Sequence, residues 1–324
     1  MERQDGKLPL VVVAGPTASG KTALAVELAL LFGGEVVSAD SMQVYRGMDI
    51  ATAKPDEAEM KGVPHHLIDF IEPDGAAFSV ADYARLAHAA IDGIAARGRL
   101  PILAGGTGLY IGAVVDNLDY GEIPASPEVR EELKTQARER GGKAMLEELR
   151  GVDPALAEKL HPNNLGRVLR ALEVYRVTGI PMSEHQRRSR LTPARYEPCM
   201  LGICFRDREK LYERIDRRVD LMMERGLLDE AREVSRRYGG TARQAIGYKE
   251  LWPYLAGTCT LEEAVEHLKR QTRRYAKRQL TWFRRDERVH WFDPDRYETL
   301  DALADAVAEL WKHHLTGDHT HDLT

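Results

Sequence analysis

The chain has 324 residues, 43% hydrophobic and 30% charged, with a formal net charge of −5 and three cysteines. That length suits about two domains and a sizeable core. The spacing of Cys199, Cys204 and Cys259 excludes both a disulfide framework and paired CxxC zinc ligands, as in a reducing cytoplasm. The polar leader, Met1 to Lys7, lacks the form of a secretion signal. The apolar run after it, Leu8 to Ala14, is far too short for a membrane span.

In chain order, "LPLVVVAG" predicts a parallel strand buried on both faces, and "KTALAVELALLFG" a helix stopped at Gly33–Gly34. "GEVVSAD" and "HHLIDFI" predict two further strands. "FSVADYARLAHAAIDGIAARG" predicts a helix opened by a capping box of Ser79 and Asp82 and closed at Gly98. "RLPILAGG" is another buried strand. This alternation predicts an α/β fold, a P-loop NTPase-like parallel sheet with helices on both faces.

The pattern changes near residue 120. "SPEVREELKTQARERGG" starts with Ser126 as cap and Pro127 at the first helical position. "DPALAEKL" and "NNLGRVLRALEVYRVTG" continue as helices with no strand between them. The expected organisation is therefore a core over 1–120, an all-α insertion or lid over 121–199, and a return to the core over 200–324. In the last part "CMLGICF" rejoins the sheet and long charged helices follow. The His-rich ending "HHLTGDHTHDLT" reads as a frayed tail rather than a metal site.

Charge is uneven. Residues 201–290 carry 21 Lys/Arg against 15 Asp/Glu, which leaves −11 for the remainder. Within "KRQTRRYAKRQLTWFRRDER", nine basic residues meet two acidic ones. Such a block is either a solvated helix face or, with Tyr275, Trp282 and Phe283 interleaved, a polyanion-binding surface.

Gly15-Pro16-Thr17-Ala18-Ser19-Gly20-Lys21-Thr22 matches G-x-x-x-x-G-K-[ST] in full. Backbone N–H groups of such a loop converge on phosphate oxygens, Lys21 adds a charge, and Thr22 offers a hydroxyl to Mg²⁺. A chance match in a chain of this length is on the order of one in a hundred. The motif marks phosphate without choosing the compound, and nucleotide binding, ATP included, stays open. A hydrolase would add an acid at a strand end to hold Mg²⁺, yet "PILAGGTG" ends without one and "LIDF" offers only Asp69. The missing acid favours transfer to a bound acceptor. Asp40, at the end of the second strand, is placed to act as a base, to help hold the metal, or only to cap a turn. Thr107, in "GGTG", would face the same crevice.

Eight blocks occur in order: "GPTASGKT", "DSMQVYRGMDIATAKP", "GVPHHLID", "FSVADY", "PILAGGTGLY", "HPNN…GRVLRALEVY", "QAIGYKE" and "TRRYAKRQLTWFR". Together they closely resemble the bacterial tRNA dimethylallyltransferases, also called tRNA isopentenyltransferases, over roughly residues 9–292. The resemblance implies a prenyltransferase that moves the dimethylallyl group from dimethylallyl diphosphate to N6 of the adenosine at tRNA position 37, beside the anticodon. It implies Asp40 as general base and Thr107 at the reaction centre. It gives the diphosphate to Gly15, Thr17, Ala18, Ser19, Gly20, Lys21 and Thr22 with Mg²⁺, and to one of Arg214 and Arg218. It assigns tRNA contacts to Asp40, Ser41, Met42 and Gln43, to Arg130, to Gly166, Arg167 and Arg170, and to Arg243, Gly247 and Tyr248, although Tyr248 taken alone reads better as a buried core tyrosine. Arg274 belongs to the basic block expected to meet RNA. Nothing in the sequence demands a dimer or a membrane, so a cytoplasmic monomer is expected.

Overall fold

A computed structural model describes residues 6–73, 78–119, 126–240 and 242–316. Six strands form one sheet: β1 (Leu8–Ala14), β2 (Glu35–Ser38), β3 (His65–His66), β4 (Pro101–Gly105), β5 (Tyr196–Ile203) and β6 (Val289–Phe292). Their order is β3-β2-β4-β1-β5-β6 and every pairing is parallel. The first four strands and β5 answer the sequence expectations, although β3 is only two residues long and β5 begins three residues before "CMLGICF". The short β6, from "VHWF", was not anticipated.

Successive residues of each inner strand serve opposite faces. Val11 and Val13 join Val36, Ile102 and Leu201 against the helices Lys21–Phe32 and Leu300–Thr316. Leu10 and Val12 join Val37, Leu103 and Met200 against the helices Val80–Ala96 and Gly108–Val115. This two-sided burial explains why β1 is apolar throughout. Local signals act as read: Gly33 ends its helix in the left-handed conformation, and Ser79 and Asp82 form the capping box.

The chain divides into two compact units, 1–115 with 195–324, and 116–194. Each boundary falls five residues before the sequence estimate (121–199); at the second, Tyr196 already pairs in β5. The 116–194 unit is helical and has its own core, with Leu133, Met145, Leu149, Val168 and Leu172 buried. Its first helical stretch, Pro127–Val152, breaks at Gly141, which leaves helical geometry with a φ of 79°. The first five residues, and the part of the His-rich ending beyond Thr316, lie outside the described residues. No described helix is long and apolar enough to cross a membrane.

Candidate active site

All carboxyl ends of a parallel sheet open on one edge. Strand register aligns Ala14 with Gly105 and Ser38 with Ala104, so three loops leave at the same level. Because β4 lies between β2 and β1, Thr107 stands between the strand that leads to Asp40 and the one that leads to the phosphate loop. A cavity of about 320 Å³ opens there. Its wall includes Thr17, Lys21, Thr22, Asp40, Ser41, Met42, Gln43, Arg218, Tyr275 and Gln279.

The helix Lys21–Phe32 starts behind Gly20, which is left-handed (φ 97°) and makes no side-chain cap. Its first amides are thus uncapped at the positive end of the helix dipole, where an anion is favoured. Lys21 Nζ donates to the Pro16 carbonyl at 2.6 Å. Burial pulls the Lys21 ammonium down to about 8, Arg218 adds to this, and Asp40 opposes it. Burial likewise lowers the Arg218 guanidinium from its usual value against the pull of Asp40. These two cations and one carboxylate therefore share a single electrostatic environment.

Asp40 divides its work between its oxygens. Oδ1 accepts the amides of Met42 (2.9 Å) and Gln43 (3.4 Å), the turn-capping role. Oδ2 has no donor among the described residues, although the carboxylate lines the cavity. Thr107 Oγ1 accepts the Ser41 amide at 3.0 Å and donates to Ser41 Oγ at 3.3 Å. Gly105 and Gly106 line the cavity while Thr107 itself does not.

A family model described as IPP transferase matches residues 43–286. The chain belongs to the IPP transferase family. A tRNA dimethylallyltransferase of Acetivibrio thermocellus is 50% identical over 297 residues, which is 91% of this chain and 94% of that protein. The crystal structure of the full-length tRNA isopentenylpyrophosphate transferase from Bacillus halodurans matches with a TM-score of 0.70 and 46% identity, over 97% of this chain and all of that one. A eukaryotic dimethylallyltransferase, described as acting on tRNA, matches with a TM-score of 0.81 and 29% identity, over 96% of this chain and 80% of that one.

Within this IPP transferase several expected contacts take different partners. The Thr17 amide does not face the cavity as a free donor, because it donates to Gln279 Oε1 at 2.9 Å. Arg214 is exposed, lies over the Phe205 ring and donates to the Ala18 carbonyl at 3.0 Å, bracing the loop, whereas Arg218 is on the cavity wall. Gln43 is bound up in the fold: Nε2 donates to the Thr52 and Ala53 carbonyls and Oε1 accepts from Ser38. Tyr248 follows the core reading rather than the aromatic-face one: it is fully buried and donates to Glu230 at 2.7 Å. At Gly247 a Cβ would come within 2.8 Å of Ala51 Cβ, so the backbone that approaches closely is the protein's own.

In the helical unit Arg130 and Arg170 both pair with Glu173, at 2.8 and 3.0 Å, and that carboxylate is 1% exposed. Arg167 and Gly166 are exposed, and a Cβ on Gly166 would meet open space. Arg243 is exposed over the Trp252 ring. Arg274 and Lys277 are exposed, whereas Arg273 is bound to Asp216. Phe283 is core, and Asp69 is paired with Lys54 rather than offered to a metal.

Two groups of consequence were not singled out in the sequence, Glu230 and, inside the block "TRRYAKRQLTWFR", Gln279. Glu230 accepts the amides of Asp49, Ile50 and Ala51 at 2.8–2.9 Å together with the Tyr248 hydroxyl, and so shapes the turn that carries Ala51, Thr52 and Ala53 to the cavity. Gln279, 6% exposed, joins the phosphate loop to the end of β4. Its spacing from Tyr275 and Trp282 (i, i+4, i+7), the inner stripe of a basic helix, was the available signal.

Proposed function

We propose that the chain transfers the dimethylallyl group of dimethylallyl diphosphate to N6 of the adenosine at position 37 of tRNA. The observation that carries this reading is the cavity wall on which Lys21, Thr22 and Arg218 share space with a carboxylate oxygen that no donor among the described residues occupies. The cations and the first amides of the Lys21–Phe32 helix suit a diphosphate, and the free oxygen suits an acceptor that must lose a proton.

The adenine amine is a weak nucleophile because its lone pair is delocalised into the ring. Asp40 Oδ2 accepts one N6 hydrogen and orients that pair toward the prenyl C1. As the N6–C1 bond forms, the C1–O bond breaks, its electron pair leaves on the diphosphate, and the N6 proton passes to Asp40. Lys21 and Arg218 stabilise the charge that grows on the departing oxygens. Thr107 stands behind the cavity wall, its hydroxyl engaged with Ser41 and Tyr275, and so acts by fixing the Ser41 amide beside Asp40. The diphosphate site is therefore assigned to Ala18–Thr22 and Arg218, with Arg214 as a brace.

Mg²⁺ fits the same wall. No group of three or more His, Cys, Asp or Glu side chains among the described residues could hold a metal. The ion would thus rest mainly on diphosphate oxygens, with the Thr22 hydroxyl as its protein ligand and Asp40 on the same wall. When bound it neutralises developing negative charge.

The tRNA is assigned to the exposed Arg167, Arg243, Arg274 and Lys277, whose guanidinium and ammonium groups are available to phosphates. A decisive test is one incubation with labelled dimethylallyl diphosphate, Mg²⁺ and unmodified tRNA, beside another with labelled ATP. Label entering RNA from the first tube alone supports prenyl transfer. ATP consumed with no prenyl transfer would replace it with a kinase or nucleotidase reading.

A further inference from the structure

We infer that Gln279 is a positioning residue for this reaction, setting the distance between the phosphate loop and the Gly106–Thr107 turn. The inference rests on the transfer reading above. The carboxamide accepts from the Thr17 amide and donates to the Gly106 carbonyl, both at 2.9 Å, across 262 and 173 residues of chain. No other described side chain hydrogen-bonds to both segments. The fit is close: a Cβ on Gly106 would lie 2.2 Å from Gln279 Nε2, and a Cβ on Gly108 would lie 2.1 Å from Trp282 Cδ1. Glycine at 106 and 108 is therefore the means by which the inner face of the helix Leu261–Phe283 seats on the turn that presents Thr107. One turn earlier Tyr275, from the same face, lines the cavity.

The two hydrogen bonds have opposite polarity, so they can be separated by substitution. Gln279→Glu keeps the acceptor for Thr17 but, when ionised, has no donor for Gly106. A carboxyl in so buried a place titrates above its ordinary range, and protonation restores the donor. Gln279→Met keeps length and burial but loses both bonds at every pH.

The experiment measures kcat and KM for dimethylallyl transfer across pH 6 to 8.5, each variant expressed as its ratio to the unaltered protein at the same pH. Circular dichroism first establishes the folded fraction. Gln279→Met is expected to lower kcat about 10²-fold, as misplacement of reacting groups by about 1 Å does, with a flat ratio. For Gln279→Glu the ratio should rise about tenfold from pH 8.5 to 6 as the buried carboxyl protonates. A purely structural role would lower the folded fraction and leave kcat per folded molecule unchanged. That result, or a flat ratio for Gln279→Glu, overturns the assignment. If the unaltered protein transfers no label, the reaction reading fails instead. The same ratios, read on binding of inorganic diphosphate by calorimetry, then decide the role of Gln279: a rise toward low pH for Glu alone upholds it, and parallel ratios overturn it.

Discussion

Replacing Asp40 by Asn separates the two roles of one side chain. The Asn carboxamide oxygen can still accept from Met42 and Gln43, the bonds that Oδ1 makes at 2.9 and 3.4 Å. The turn should therefore survive, with melting unchanged within about 0.5 kcal/mol. What is lost is the basicity of Oδ2. A positioned general base contributes about 10²–10⁴-fold, so single-turnover transfer of label to tRNA should slow by that factor, or about 3–5 kcal/mol in barrier. Binding of tRNA, measured by filter retention, should change little. Asp40→Ala supplies the contrast: it also strips two amides of their acceptor, and stability should fall by about 1–2 kcal/mol. If Asp40→Asn turned over within about threefold of the unaltered protein, the base would have to lie elsewhere.

The pH dependence of diphosphate binding should report Lys21. Its ammonium titrates at about 8 in the free protein, so affinity for dimethylallyl diphosphate should weaken as pH rises through that value. In Asp40→Asn the break should move lower, since Asp40 is the group that raises Lys21; calorimetry at a series of pH values checks both. Changing Arg274 or Lys277 to Ala should reduce the slope of log affinity for tRNA against log salt by about 0.7 each. Arg273→Ala should leave that slope alone and cost about 1–2 kcal/mol of stability, because Arg273 is engaged by Asp216. Glu173 is buried, which raises its carboxyl, but Arg130 and Arg170 prevail and hold it below its ordinary value. Its contribution is therefore present above the unfolded value near about 4.3 and is lost as pH falls through the lower folded value. Glu173→Gln should cost about 2–3 kcal/mol at neutral pH, less than a fully buried pair because both arginines reach solvent, and the loss should shrink in acid melts.

The parallel sheet was legible because β1 and β4 carry apolar runs between helical segments, whereas the two-residue β3 and the mixed "VHWF" of β6 carry none, and the phosphate loop because its chemistry is written in consecutive residues. Asp40 and Arg218 were legible as candidates, but the choice between Arg214 and Arg218 was not. Both share a helical face, and only packing against Phe205 and the Ala18 carbonyl separates a brace from a wall residue. Tyr248 carried two readings, an RNA contact by its place in the motif and a core tyrosine by its residue type; the second holds, since Glu230 draws that hydroxyl into the core. Arg130 and Arg170 look like free basic residues until Glu173, distant from Arg130 in the chain, is seen between them. Gln279 was the hardest to find. Its helical spacing marks it as inward-facing, but the two bonds that join the segments go to backbone atoms at Thr17 and Gly106, which no residue type in the pattern marks.

The span between Thr17 and Gln279 also has a consequence for biosynthesis. A ribosome releases β1 and the phosphate loop first, but the side chain that joins the loop to β4 is made about 260 residues later. At roughly 5–20 residues per second, the nascent chain waits on the order of 13–50 s for that partner. During that interval β1 has β4 on one flank but lacks β5, which follows only after the 116–194 unit has been made. That helical unit, with a core of its own and mostly local contacts, can fold while the sheet remains open. A truncated or stalled product would thus carry a phosphate loop without its clamp, and the finished site appears only in chains that are nearly complete.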